Sequence, residues 1–264
     1  MLVYFVIDTK LFILMSEKIQ RVVLNGFRYY EVSDSSGVIG TYPSVTSILG
    51  STSDQTGLDA WRNRIGHTKA EQIGKDATSR GTVMHKLCEL YLNLPASMSE
   101  KDRLEETLSL ARLDDEIDQF DSRAKIVGGM LFYNYIKSGS FTEIKKVIAQ
   151  EKFLWTSRDG GFAGTLDNLS VLVSEDTAIV DFKTARKPKE EKWIEDYKLQ
   201  VSAYAVAVWD RLNIKVSTCR IWISNEQSIT PQHFRLSSSE MREYYGKFRE
   251  RLSDFYLKNP PIIL

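Results

Sequence analysis

Apolar residues recur at two different periods along this chain, and the change from one to the other divides it. Between Thr68 and Asn93, Val83, Leu87, Leu90 and Tyr91 follow the spacing of one helix face. Gly57–Arg64 and Asp102–Lys137 carry the same period, the second with a predicted break near Asp121. Pro43–Leu49 predicts the start of a helix with Ser44 as its N-cap. Ahead of these, residues 20–32 alternate and predict a short hairpin strand, closed by the turn-forming cluster Ser33–Gly37. The second half changes character. Lys145–Trp155, Gly161–Val173 and Thr177–Lys183 are apolar, β-branched runs, separated by the turn residues Ser157–Gly160 and Ser174–Asp176. Glu191–Leu212 returns to helical spacing, and Val216–Ser224 predicts another strand. Ser237–Lys258 predicts a terminal helix with Met241, Tyr244, Tyr245, Phe248, Leu252 and Phe255 on its apolar side. The order predicts a single α/β domain over 1–264, with a mixed sheet core at 144–224 and a helical N-terminal elaboration at 43–137.

Composition adds little and excludes something. Hydrophobic residues make up 42% and charged residues 27%, the balance of an ordinary water-soluble domain. Lys plus Arg and Asp plus Glu both number 35, so any nucleic-acid binding must rest on locally concentrated positive charge. The two cysteines, Cys88 and Cys219, have no metal-site spacing and are expected to be buried free thiols, which fits a reducing cytoplasmic compartment. Two thiols also fall short of the four that an iron–sulfur cluster takes. Met1–Met15 is apolar but interrupted by Asp8 and Lys10, too short for a membrane span and without the marks of a signal peptide. Met15 offers an alternative start, leaving 1–14 as an extension or a disordered segment.

Charged groups inside the apolar runs carry the chemistry. Asp167 ends Gly164-Thr165-Leu166-Asp167, and Asp181 sits in Val180-Asp181-Phe182-Lys183-Thr184. A carboxylate buried in a strand is costly unless it is paired or bound to metal. Asp181 and Lys183, two apart, project from the same strand face. Two carboxylates from neighbouring strands with an ammonium beside them suit metal-assisted phosphodiester hydrolysis, in which hard Mg²⁺ or Mn²⁺ prefers oxygen ligands. The plain alternative is a buried Asp–Lys salt bridge. His85 and Glu89 share one face of the Gly81-Thr82-Val83-Met84-His85 helix, and Gly81 would let another element approach closely. Taken alone, His85 reads as a structural residue more readily than as a ligand. Gln200 and Tyr204 share a face of the following helix and read either as core or as support for the site. Glu151, at the start of the run reaching Trp155, reads as a further ligand, a Lys183 partner or a solvated strand end.

The ordered set Gly-Thr-x-x-His (81–85), Glu151, Gly-x-x-Asp (164–167), Asp-x-Lys-Thr (181–184) and Gln-x-x-x-Tyr (200–204) resembles the PD-(D/E)XK nuclease superfamily, in its RecB-like branch. Pro43–Leu49, Trp61 and Gly81–His85 further resemble the mitochondrial genome maintenance exonuclease group and phage-encoded exonucleases. The resemblance spans residues 43–204. It implies a restriction-endonuclease-like mixed sheet flanked by helices, Mg²⁺ or Mn²⁺, and DNA as substrate. By position, His85, Asp167, Asp181 and the Phe182 carbonyl match the metal ligands, Lys183 the catalytic lysine, Gln200 and Tyr204 the motif on the next helix, and Glu151 a less constant acidic position. Without four cysteines the chain resembles the members that carry no iron–sulfur cluster.

The resemblance also implies a helical clamp for single-stranded DNA. Arg62 and Arg64 flank Trp61, Arg80 approaches the His85 helix, and Arg186, Lys187, Lys189 and Lys192 follow the catalytic strand. Such groups neutralise phosphates while an aromatic ring stacks a base. Trp61 reads as core more readily than as a stacking platform. The expected protein is a monomeric, metal-dependent exonuclease of single strands or DNA ends, in repair, recombination or phage replication, and in the host cytoplasm if phage-encoded. Its rivals are a flap or junction endonuclease, a non-catalytic DNA-binding recombination accessory, and a structural α/β protein.

Overall fold

An antiparallel meander of three strands opens the residues that the computed structural model describes, 17–260. The predicted extension at 1–14 lies outside them. The strands are β1 (Lys18–Leu24), β2 (Phe27–Asp34) and β3 (Gly37–Pro43). The alternation at 20–32 was expected to form one hairpin strand, but Asn25 (φ 53) and Gly26 (φ 81) turn the chain inside it. Both turn residues take positive φ, as a tight hairpin turn requires, and asparagine followed by glycine tolerates this best. A third strand, absent from the sequence expectation, follows.

Six helices come next: α1 (Val45–Thr52), α2 (Thr56–Ile65), α3 (His67–Asn93), α4 (Glu100–Ala111), α5 (Asp115–Asp118) and α6 (Ser122–Lys137). Ser44 caps α1 as predicted, its Oγ accepting from Ser47 N at 3.0 Å. The helical run expected at 102–137, with a break near Asp121, is three helices. Asp121 and, unexpectedly, Asp114 each cap a new start, accepting from the amides of Ala124 and Ile117.

The core sheet contains β4 (Ile144–Thr156), β5 (Phe162–Leu172), β6 (Thr177–Ala185), β7 (Thr218–Asn225) and β8 (Ser228–Ser237), in that spatial order. All neighbours are antiparallel except β6 and β7, which are parallel and joined by the crossover helix α7 (Glu195–Leu212). Helix α8 (Ser238–Lys258) closes the described chain. Glu191–Trp193, expected as the start of α7, is a separate 3-10 turn. Strand β8 escaped prediction because it is a sheet edge: Pro231 interrupts it and Ile229 faces solvent.

The sheet is covered on both faces, giving the restriction-endonuclease-like α/β architecture. Val83, Met84 and Leu87 of α3 and Leu131, Phe132 and Tyr135 of α6 pack against Val180, Phe182 and Trp222. Leu199, Ala203 and Val208 of α7 and Phe248 and Leu252 of α8 cover Leu166, Ile179, Ile221 and Ile223 on the other face. Strand β6 is buried on both sides, which is why its sequence is a continuous apolar run. The Tyr135 hydroxyl ties it in place, 3.0 Å from the Lys183 carbonyl and 2.8 Å from that of Trp222. Cys88 and Cys219 are buried and unpaired. Among the described residues no helix is long and apolar enough to cross a membrane.

The close helix approach assigned to Gly81 occurs elsewhere. A Cβ on Gly81 would meet Thr184 Oγ1 at 3.6 Å, an ordinary contact. On Gly128 of α6 it would lie 2.7 Å from Val83 Cβ and 2.8 Å from the Arg80 carbonyl. Overpacking of this kind costs about 1–3 kcal/mol, more than the ~1 kcal/mol that alanine gains over glycine in a helix. Thermal melts should therefore show Gly128→Ala lowering Tm by several degrees while Gly81→Ala does not.

Candidate active site

The β5–β6 ladder pairs Val171 with Thr177 through Asn168 with Val180, and then stops. Beyond that point β5 stays with β4 and β6 stays with β7, so the two strands part inside a covered sheet. Asp167 and Asp181 are the first residues past the last pair. In the gap the Phe182 amide has lost its strand partner, and Asp167 Oδ2 accepts from it at 2.8 Å. Asp167 thus completes the backbone hydrogen bonding of the fork and still offers its other oxygen to the cleft.

Helix α3 brings His85 to the same point, its Nδ1 3.6 Å from Asp167 Oδ2 and its ring edge-on to that of Phe182. Strand β4 contributes Glu151, whose φ of 43 lies in the left-handed region that a non-glycine residue rarely adopts. One donor atom each from His85, Glu151 and Asp167 lie within 4.8 Å of one another, a set that one divalent cation can touch together. Glu151, the least defined residue of the sequence reading, belongs to this group.

Asp181 faces the α7 side and is nearly enclosed, 1% exposed. Its Oδ1 accepts from Lys183 Nζ at 2.6 Å and, more weakly, from Gln200 Nε2 at 3.4 Å. One turn on from Gln200 is Tyr204, whose hydroxyl lies where a side chain on Gly164 would be. Glycine at 164 is thus required by the close seating of Tyr204. Tyr197, which the sequence reading passed over, lies one turn before Gln200, with Lys183 Nζ 5.2 Å from its ring centre. The i, i+3, i+7 spacing of Tyr197, Gln200 and Tyr204 was the available signal.

Environment sets the protonation of these groups. Burial pushes Asp181 up, and the Lys183 ammonium opposes the rise. Burial alone would lower Lys183, but Asp181 and Asp167 outweigh it and hold the lysine charged. Burial lowers His85, with Lys183 adding to the effect against the pull of Asp167, so the imidazole is neutral and able to ligate. Glu151 keeps solvent contact, yet the concave walls desolvate its carboxylate and Asp167, Glu89 and Glu116 repel its charge, raising it to about 8.

All of these but the buried Asp181 line an open cleft of about 810 Å³ between α3, the core sheet, α7 and the N-terminal meander. Lys86, Glu89, Glu116, Arg28, Tyr30, Ser44 and Thr46 also line it and were not assigned there from sequence. The predicted DNA contacts divide. Trp61 and Arg62 line an adjoining hollow that shares Ala77 and Thr78 with the cleft, and Arg64 is exposed on the same helix, α2. Arg80 turns away to pair with Glu226 at 3.1 Å and meets Arg186 in a separate small cavity. Lys187 and Lys192 lie 5.7 and 5.4 Å from the ring centre of Trp193, a half-exposed indole missed in the sequence, while the Lys189 amide is held by Gln232.

The sequence pattern of the PD-(D/E)XK nuclease superfamily matches residues 57–255. No curated protein matches the chain. Among solved structures, an exonuclease candidate from Eubacterium rectale shares 10% identity at a TM-score of 0.41, over 61% of this chain and 63% of its own. The chain therefore spans less than two thirds of that protein's length. The protein SSO0001 shares 15% identity at a TM-score of 0.33, over 68% of this chain and 86% of its own.

The Glu151 environment has a thermodynamic signature. In the folded metal-free protein the group holds its proton up to about pH 8, against an ordinary value of 4.5. The stabilisation is complete below the lower value and is lost as pH rises through the upper one. Melts from pH 5 to 8 in EDTA should show the Tm of wild type falling relative to Glu151→Gln. Adding Mn²⁺ at pH 8 should raise Tm more for wild type than for the variant. Parallel curves in both series would mean that Glu151 is not held in this acidic group.

Proposed function

Because the chain belongs to the PD-(D/E)XK nuclease superfamily, we propose that it is a divalent-metal-dependent deoxyribonuclease, an exonuclease acting on single-stranded DNA or DNA ends. One observation carries the reading: at the β5–β6 fork, the His85–Glu151–Asp167 group faces the buried Asp181–Lys183 pair across a single open cleft. A plain salt bridge would need neither the histidine nor the third carboxylate.

The donors fit Mg²⁺ or Mn²⁺. Carboxylate oxygens and one neutral imidazole suit hard divalent ions. Asp181 Oδ2 is buried with the Lys183 ammonium, at 2.6 Å, as its close partner, so this acceptor keeps lone-pair capacity for an ion. His85, Asp167, Asp181 and Glu151 would hold the ion, and when bound it would neutralise phosphate charge and lower the pKa of a water. Lys183, kept protonated by its carboxylate neighbours, orients the attacking water and donates to the phosphate oxygens as negative charge grows there. Water oxygen bonds to phosphorus as the bond to the leaving oxygen breaks, giving a 5′-phosphate and a 3′-hydroxyl. Gln200 steadies Asp181, with Tyr204 one turn on along the same helix.

An extended strand suits the surroundings better than a duplex. The cleft continues along α3 into the hollow beside Trp61 and Arg62, and Trp193 with Lys187 and Lys192 offers a ring flanked by cations. Helices within 43–137 would then form one wall of a clamp.

Asp181→Asn and Lys183→Ala should each reduce cleavage of an end-labelled single strand at least about a thousandfold in Mn²⁺, with DNA binding retained. Unchanged cleavage by both purified variants would sink the assignment. A circular single strand should survive wild-type enzyme. Its opening would favour a structure-specific endonuclease, and inertness toward linear, circular and flapped DNA alike would favour a binding accessory.

A further inference from the structure

Three permanent cations line the cleft: Lys86, Lys183 and Arg28. The lysines are committed to carboxylates, Lys183 to Asp181 at 2.6 Å and Lys86 to Glu89 at 3.1 Å and Asp114 at 3.5 Å. Arg28, on β2, has no carboxylate partner among the described residues. Its side chain is held by hydroxyls instead: Nη2 donates to Thr46 Oγ1 at 2.6 Å and Nε points at Ser44 Oγ at 3.4 Å. The network continues inward, with Ser44 Oγ donating to Ser47 Oγ at 2.9 Å and the Arg28 amide donating to the same Ser47 oxygen at 3.0 Å. Hydroxyls fix the guanidinium plane without cancelling its charge. The remaining N–H groups of the fork stay unspent, while Thr46 Oγ1, which accepts from Arg28, gives its proton to Ser44 Oγ at 3.1 Å and so completes the network.

A half-buried guanidinium pre-oriented by hydroxyls, with N–H groups to spare, is built for an oxyanion, and a guanidinium fork matches phosphate in two parallel hydrogen bonds. Ser44 bridges to Ala163 at the start of β5. Asp167 lies four residues further along the same strand, roughly 13 Å at the usual strand rise. The two places therefore sit in one cleft and are too far apart to hold the same phosphate. We propose that Arg28, Ser44 and Thr46 form a phosphate subsite that grips the DNA backbone a few nucleotides from the bond being cut. The proposal rests on the nuclease reading above and adds a second, metal-independent point of attachment contributed by the N-terminal meander and α1.

Because the subsite needs no metal, it is tested by binding in EDTA, using a fluorescently labelled single-stranded oligonucleotide and the full-length protein. Arg28→Ala should weaken binding about tenfold, and the slope of log Kd against log salt should shrink by about 0.7, the share of one phosphate on a single strand. Thr46→Val removes an exposed hydroxyl from no core and should weaken binding a few-fold. A set of oligonucleotides, each with one neutral methylphosphonate, then locates the contact in Mn²⁺. Wild-type cleavage should be slowed by a substitution at one position away from the scissile bond, and Arg28→Ala should be indifferent there. An unchanged salt slope in folded Arg28→Ala, or equal sensitivity of both proteins at every position, overturns the subsite while leaving the nuclease reading intact. Should Arg28→Ala not fold, unaltered binding by Thr46→Val overturns it. Wild type that neither binds nor cuts DNA defeats the nuclease reading itself, and this one with it.

Discussion

Everything at this site depends on a ladder of backbone hydrogen bonds that ends early. Where β5 and β6 part after Asn168 and Val180, amides are left without strand partners under two layers of helix. Buried backbone donors must be satisfied, and side chains that do so are fixed in place by the requirement. Asp167 is held by the Phe182 amide, and the same carboxylate oxygen faces His85 at 3.6 Å, so one backbone donor positions a group that meets a second from another element. The fork is also the only way for a cleft to reach the middle of a doubly covered sheet without breaking its core.

The same geometry makes the site electrostatically unfavourable when empty of cations. Glu89, Glu116, Glu151, Asp167 and Asp181 crowd one region, with Lys86 and Lys183 as the nearby compensation. The result is a neutral imidazole, a charged lysine and a carboxylate that resists ionisation, three different responses to one field. Glu151 adds a backbone in the left-handed region, a distortion of order 1–3 kcal/mol that a strand would not otherwise keep. Its place among the other donors gives that distortion a reason.

Much of this was legible in the chain, and the failures have physical causes. Asp167, Asp181 and Lys183 could be read because charge inside an apolar run is itself anomalous. Gln200 and Tyr204 could be read as a helix face, but Tyr197 on the same face looked like ordinary packing. Glu151 stayed ambiguous because its reason lies in the register that sets it beside Asp167 of β5 and within reach of His85 on α3. Arg28 was invisible for a different cause: an unpaired arginine in an alternating strand looks like any solvated position until the meander folds it over the cleft. Asn25-Gly26 was a turn signal that the broader alternation obscured, whereas β8 was hidden by its own proline.

The parallel pairing of β6 with β7 has a consequence for when the protein becomes dangerous. Parallel strands cannot be joined by a tight turn, so the helix that carries Gln200 and Tyr204 is also the crossover between β6 and β7. The functional groups are scattered between His85 and Tyr204, and they meet through contacts distant along the chain, which form late and together. On the proposed nuclease function, hydrolytic competence would be a property of the finished topology, with no single hairpin or helix holding the groups that cut.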